Sequence, residues 1–315
     1  MKSYTSLRNL YGSLTNDSVS DNLTLGDTLI NDSIMALLSI RPWAFLEKTV
    51  DIDTVASQQA YSIPNSLRES LTDVYVTVGT TVYNPVPIIS EIDWKAILMA
   101  NLGESDNQSF WYREGSDIKL APTPATAGNT ITFRGRKKAR DLSIADYSTG
   151  TVVSIANGAK AVVGNGTTWT ASMAGRYIKI IESNTDLKGD GEWYEIASVE
   201  SATSLTLSKP YEGTAIATGA AAYVIGQMSL IPEEYDIAPV YRAVALYYQT
   251  EDVTGISDRF WRMYDGGVET GMTDTYGGVV GRMLNEGKDE RRSVPPSKLV
   301  IPDPNWPERD LATGF

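Results

Sequence analysis

Any chemistry in this chain must be done without cysteine or histidine, because its 315 residues contain neither. That excludes disulfides, thiolate nucleophiles, cysteine-type zinc sites and every triad or metal centre that needs an imidazole. Carboxylates, lysines, tyrosines and hydroxyls remain. The loop ESNTDLKGDGEW, residues 182–193, is the first candidate, as a calcium site. An EF-hand loop needs acids at its first, third and fifth positions, glycine at the sixth and glutamate at the twelfth. Counted from Asp186, the fifth and sixth positions are Asp190 and Gly191, but the third is Lys188 and the twelfth Ala197. The two failures predict a hairpin turn, and no metal or cofactor is expected. Gly164-Asn165-Gly166 lacks the Lys-Ser/Thr pair and the following helix of a phosphate loop, so it also predicts a turn. Glu233-Glu234 suits a helix start better than catalysis. A carboxylate hydrolase would need two acids about 5–10 Å apart in a cleft, and nothing in the sequence places such a pair. The expectation is a protein that is not an enzyme.

The densest charge cluster is basic. Arg134, Arg136, Lys137, Lys138 and Arg140 fall within seven residues of a chain whose net charge is −12. We read them as a face that meets an acidic neighbouring subunit or another partner. A solvated strand end and contact with DNA are the alternatives. An acidic chain is a poor tight ligand for nucleic acid, where affinity rests on cations at phosphates. It is a good wall for nucleic acid to slide past: acidic copies arranged in a ring repel a duplex within about 8 Å at physiological salt. The 17 tyrosines and 7 tryptophans are many for the length. Such residues favour interfaces, although an aromatic core would use them too.

Several elements must position these groups. Leu7, Leu10, Tyr11 and Leu14 recur at helical spacing and predict a short helix over 3–14. A second helix is expected from about Asn22, with Ser20 or Asp21 as cap and Leu23, Ile30, Ile34, Leu37 and Leu38 as its stripe. Pro42 stops it, and Trp43 and Phe45 then offer apolar surface to a core. DVYVTVGTTVY, 73–83, reads as a hairpin that Pro85 and Pro87 end. Ser90 caps a helix whose apolar side is Ile97, Leu98 and Met99, with Gly103 as its stop. FWYREGSDIKLAPTP, 110–124, is a second hairpin, and NTITFRGRKKARDLS, 129–143, a strand that runs into the basic cluster.

From about Tyr147 to Gln227 the texture changes to short strands rich in Gly, Ala, Ser and Thr: TVVSI, KAVVG, RYIKIIE, EWYEIASV, SLTLSKPY and AAYVIG. No helical stripe interrupts them, which predicts an all-β module, a small barrel or a sandwich. Helical pattern resumes at IPEEY, with Ile237, Val240, Tyr241, Val244 and Tyr248 as a stripe and Pro239 in the first turn or at a kink. A last helix is expected from about Ser257 to Asn285, with Tyr264, Val268, Met272, Val279 and Met283 on one side. Pro295, Pro296, Pro302, Pro304 and Pro307 forbid helix in the final stretch. It predicts an extended arm that lies on a partner through Leu299, Ile301 and Trp306. The fold class is therefore α+β. A body of residues 1–146 and 228–290 holds helices and β-hairpins, an all-β module of 147–227 is inserted in it, and an arm of 291–315 follows. No run is long and apolar enough to span a membrane, and no secretory signal opens the chain.

The opening TSLRNLYGSLTNDSVSDNLTLGDTLINDSIMALLSIRPWAFLEKT resembles the N-terminal signature of a family of tailed-bacteriophage adaptor, or head-to-tail connector, proteins. The order WYREGSDIKLAPTP, ITFRGRKK, IPEEYDIAPVYRAVALYY is similar to the connector layout. GNGTTWTASMAGRYIKI with GDGEWYEIASVESATSLTLSKPYEG resembles a β-module of phage structural proteins. The resemblance implies a structural virion protein at the head-to-tail junction, assembled in the host cytoplasm. It implies a ring, commonly of twelve copies, between the portal protein and the tail or nozzle, with viral DNA passing through unread. It also implies an arm that reaches along the portal and a β-module that is free to meet tail fibres. The rival reading is a tail-fibre or carbohydrate-binding protein that acts through the β-module.

Overall fold

The computed structural model describes residues 1–16, 20–68, 71–181, 189–217, 220–266 and 278–284. Five helices can be numbered along the chain: α1 (Tyr4–Thr15), α2 (Ser20–Ser39), α3 (Glu91–Met99), α4 (Ala238–Thr250) and α5 (Thr254–Asp265). A further helical stretch covers 278–284. Three sheets accompany them, so the protein is α+β.

The helices other than α3 share one core. Ser3 caps α1 by accepting the Ser6 amide at 3.3 Å, and Asn16 ends it in a left-handed conformation. The stripe read from the sequence faces inward: Leu7 and Tyr11 are fully buried, as are Ile30, Leu37 and Leu38 of α2. A Cβ at Gly26 would collide with the Tyr11 ring, so the glycine is what lets α1 and α2 approach. α4 lies against α1, α2 and α5 and contributes Val240, Ala243, Val244 and Ala245. Pro239 sits in its first turn, where a missing amide costs nothing.

Several expectations in this region need correction. α2 begins at Ser20, two residues ahead of the expected start at Asn22, so Ser20 and Asp21 fall within it. Trp43 is buried and donates its indole N–H to the Leu37 carbonyl at 3.0 Å, but Phe45 only stacks on it from outside and is 37% exposed. IPEEY forms a 3-10 turn, Glu233–Tyr235, ahead of α4. The helix expected from Ser257 to Asn285 starts at Thr254 and ends at Asp265, because Gly266 turns left-handed at φ 84° and its amide closes on the Arg262 carbonyl. Tyr264, Val279 and Met283 still reach the same core. Val268 and Met272 lie outside the described residues.

Eight strands precede the β-rich stretch: β1 (Glu47–Asp53), β2 (Ala60–Ser62), β3 (Asp73–Val78), β4 (Thr81–Tyr83), β5 (Val86–Ile88), β6 (Phe110–Glu114), β7 (Asp117–Ala121) and β8 (Thr130–Arg136). They form two four-stranded sheets, β1-β8-β3-β4 and β2-β7-β6-β5. One core cluster joins them: Val74, Val76, Ile131 and Phe133 from the first sheet, Tyr61, Trp111, Ile118 and Leu120 from the second. Both expected hairpins are present, turning at Gly79-Thr80 and Gly115-Ser116. Pro87 does not end a hairpin. It lies within β5, an edge strand, where a lost amide breaks no ladder.

All six strands read between 147 and 227 form, as β9 (Thr151–Ser154), β10 (Ala161–Asn165), β11 (Tyr177–Ile180), β12 (Trp193–Ser201), β13 (Ser204–Leu207) and β14 (Tyr223–Gly226). Their order is β14-β11-β12-β13-β10-β9. The two edges then meet, β9 and Ile155 against the chain just ahead of β14. Val152 and Ala221 exchange backbone bonds of 2.9 and 2.8 Å, and Ile155 and Ile216 do the same at 3.0 and 2.8 Å. The sheet is thus a closed barrel rather than a sandwich. Its interior holds Val152, Val162, Ile178, Leu205 and Ile225, all fully buried, and Trp169 donates to Tyr223 Oη at 2.9 Å.

Candidate functional site

The backbone splits the basic run in two. Arg134 and Arg136 lie on β8, where Arg134 bonds Glu47 of β1 at 3.0 Å. Beyond the strand, Lys137, Lys138 and Arg140 turn into a cleft of ≈ 220 Å³ between the barrel, the first sheet and α2. Lys48 of β1 joins them from one side and Arg176, ahead of β11, from the other. Lys137 has a partner, Glu195, at 3.5 Å. Among the described residues Lys48, Lys138, Arg140 and Arg176 have no ion pair. Burial pulls the Arg176 guanidinium below its usual range, the mark of a cation partly removed from solvent. Burial, with Glu195 nearby, pushes the Tyr177 phenol on the same wall up to about 12.

Apolar side chains make the floor: Ile34, Ala139, Leu142 and Met228 are buried there, and Ile144 is partly open. Asn31 of α2 ties the floor in place. Its amide donates to the Leu142 carbonyl at 3.0 Å and its oxygen accepts the Leu142 amide at 2.8 Å. Gln227 adds a second clamp by accepting the Ser143 and Ile144 amides at 2.9 and 3.0 Å. The site is therefore a rigid, apolar-floored cleft with a cationic rim. Sequence reasoning found three of its cations and missed Lys48 and Arg176, which only the fold brings close.

A second surface departs from the sequence expectation. In α3 the expected apolar side was Ile97, Leu98 and Met99, yet the one buried residue is Trp94, stacked on Tyr112 of β6 at 5.4 Å. Ser90 caps the helix as expected. Asn101, left-handed at φ 46°, takes the turn assigned to Gly103. Facing away from the sheet, Ile89 is 95% exposed, Ile92 79% and Met99 85%. Val82 of β4, Val86 of β5, Leu98 and Leu102 are exposed in the same stretch of chain. Glu91 and Asp93 edge the patch, and Glu91 pairs with Lys95 at 2.6 Å.

The other candidates are occupied by local structure. Asp190 accepts from Tyr194 Oη and the Glu192 amide, so its carboxylate fixes a turn. Asp186 and Lys188 lie outside the described residues. Among the described residues no group of three or more acids is placed to hold a metal ion, and no helix is long and apolar enough to cross a membrane. Gly164 and Asn165 end β10, and only Gly166, at φ 68°, makes the expected turn. Glu233 pairs with the amino terminus, which holds its carboxyl below the usual range. The arm residues Leu299, Ile301 and Trp306 lie outside the described residues.

The family described as SU10 adaptor protein matches residues 2–160, from α1 through both four-stranded sheets to the start of the barrel. The chain belongs to the SU10 adaptor family. No curated protein matches it. As a phage adaptor family, SU10 places the chain among the structural proteins of bacteriophages. The match covers α3 and four of the cleft cations, Lys48, Lys137, Lys138 and Arg140, but stops short of Arg176.

Proposed function

We propose that this SU10 adaptor is a head-to-tail connector: a ring of copies, twelve in the common arrangement, seated between the portal protein and the tail or nozzle. The family match over residues 2–160 carries the reading. The role asks for surfaces rather than catalysis. It also gives the charge a use, since acidic copies lining a channel let DNA pass without sticking at a net −12 per chain. In this reading the barrel is a module inserted between the two parts of the body. It projects from the ring and is free to meet tail fibres. Residues 291–315 are an arm laid along the portal, with Leu299, Ile301 and Trp306 as anchors. An arm that orders only on a pre-existing surface makes assembly sequential, because the portal must already be there. Arg134, Arg136, Lys137, Lys138 and Arg140 serve contacts between copies or with partners.

The test mixes the full chain, or a chain lacking residues 291–315, with portal protein and follows docking by electron microscopy. We expect rings on portals from the full chain and none from the truncated one. Normal docking by the truncated chain would remove the arm's role. Failure of both chains to dock would remove the portal as partner.

A further inference from the structure

We infer that the apolar face of α3 on one copy seats in the basic cleft of the next copy, so that the ring is held by a head-to-tail contact between two unlike surfaces. The inference rests on the ring reading and adds which faces meet. Both surfaces are incomplete in the same sense. α3 turns Ile92 and Met99, two turns apart on one side, into solvent, next to Ile89. The cleft offers an apolar floor under its cations. Charge fits as well. The patch is edged by Asp93, with Glu91 already paired to Lys95, and the cleft by Lys48, Lys138, Arg140 and Arg176, which have no ion pair among the described residues. Charged groups at the rim of an apolar contact set its register and exclude wrong partners.

Size and position narrow the occupant. At ≈ 220 Å³ the cleft is smaller than the roughly 300–1,000 Å³ of small-molecule pockets, which suits a few side chains better than a whole ligand. The cleft is lined from β1, α2 and the barrel, whereas α3 packs on β6 of the second sheet, and no residue of 82–102 lines the cleft. A copy can thus give one face and receive the other at the same time. Such a contact is heterologous, and it closes into a ring when its rotation divides the circle. An isologous dimer would instead bring the same patch of both copies together.

The absence of native cysteine makes the test clean. Ile92→Cys and Lys138→Cys both replace exposed side chains, so neither breaches a core. The full chain carrying both is concentrated under mild oxidation and compared with each single variant and with their equimolar mixture. We expect a ladder of linked chains from the double variant, dimers from the mixture, and neither from a single variant alone. Asp93→Lys or Arg140→Glu in that background should each abolish the ladder, and the two together should restore it. A double variant that stays unlinked, or Ile92→Cys chains that link to one another, would overturn the inference. Rings seen on portals without this cross-link would sink the pairing of these faces and leave the ring itself standing.

Discussion

In the barrel, β9 and the chain ahead of β14 exchange four backbone bonds and leave the sheet no free edge there. Between residues 82 and 102 come an edge strand of each four-stranded sheet, β4 and β5, and a helix that buries a single residue. The apolar surface divides accordingly. Among the described residues, seven of the 17 exposed large hydrophobics lie between Val82 and Leu102, against two, Val163 and Ile181, within 147–227. The barrel satisfies its own backbone and hides its own side chains, as a closed sheet must if it is to avoid pairing with other chains. The α3 segment does neither. A clustered apolar surface that the fold leaves open marks a contact site, whereas single exposed hydrophobics are ordinary. The same chain thus holds one region finished by folding and one that only another molecule finishes.

The largest effect that bears on this contrast is expected inside the barrel. Ile178 is fully buried there among Val152, Ile180 and Ile225. Ile178→Ala removes that packing and should cost about 2–5 kcal/mol, the usual range for such truncations in a core. Urea unfolding measures it. A loss under about 1 kcal/mol would mean that the interior is loose, and the contrast with α3 would lose its stable half.

A pH experiment sharpens the same point. Burial pushes Tyr177 and Tyr211 of the barrel up to about 12, with Glu195 adding to the shift for the first and Asp190 for the second. In the unfolded chain a tyrosine ionises near about 10. The unfolded state therefore releases these protons first as pH rises. The stability they supply is complete below about pH 10 and is lost toward about pH 12. Melting scans across that range, read by tyrosinate absorbance, should show the barrel tyrosines ionising together with unfolding. Ionisation near about pH 10 in the folded protein would mean that water reaches them freely.

The two regions were also unequally legible in the sequence. The six barrel strands announce themselves because alternating apolar residues sit between glycine and hydroxyl turns, and each turn is local. The choice between barrel and sandwich did not, since closure depends on Val152 meeting Ala221 across the module. β1 hides because EKTVDID alternates between half-buried and exposed, with no fully buried position, and becomes a strand by pairing with β8. β5 hides behind Pro87. In α3, Ile97, Leu98 and Met99 form the densest apolar run, yet a single aromatic, Trp94, decides which side faces the sheet. One large stacked ring outweighs three aliphatics when the sheet offers it a partner. The basic run was visible as composition. Its division into β8 and the cleft, and the arrival of Lys48 and Arg176, are properties of long-range packing.

The smallest effect is the most telling for α3. Ile92→Ser together with Met99→Ser replaces two side chains that face solvent and leaves Trp94 on Tyr112 undisturbed. Neither position holds a core together, so unfolding by urea should change by no more than about 0.5 kcal/mol, as for other surface substitutions. Binding of a dye that reports exposed apolar surface should fall at the same time. A core residue such as Ile178 behaves in the opposite way, since cutting it lowers stability and exposes more apolar surface. A fall of more than about 1 kcal/mol in the serine variant would show that Ile92 and Met99 already pack within the chain. The apolar face of α3 would then belong to the fold and have nothing left to offer a neighbour.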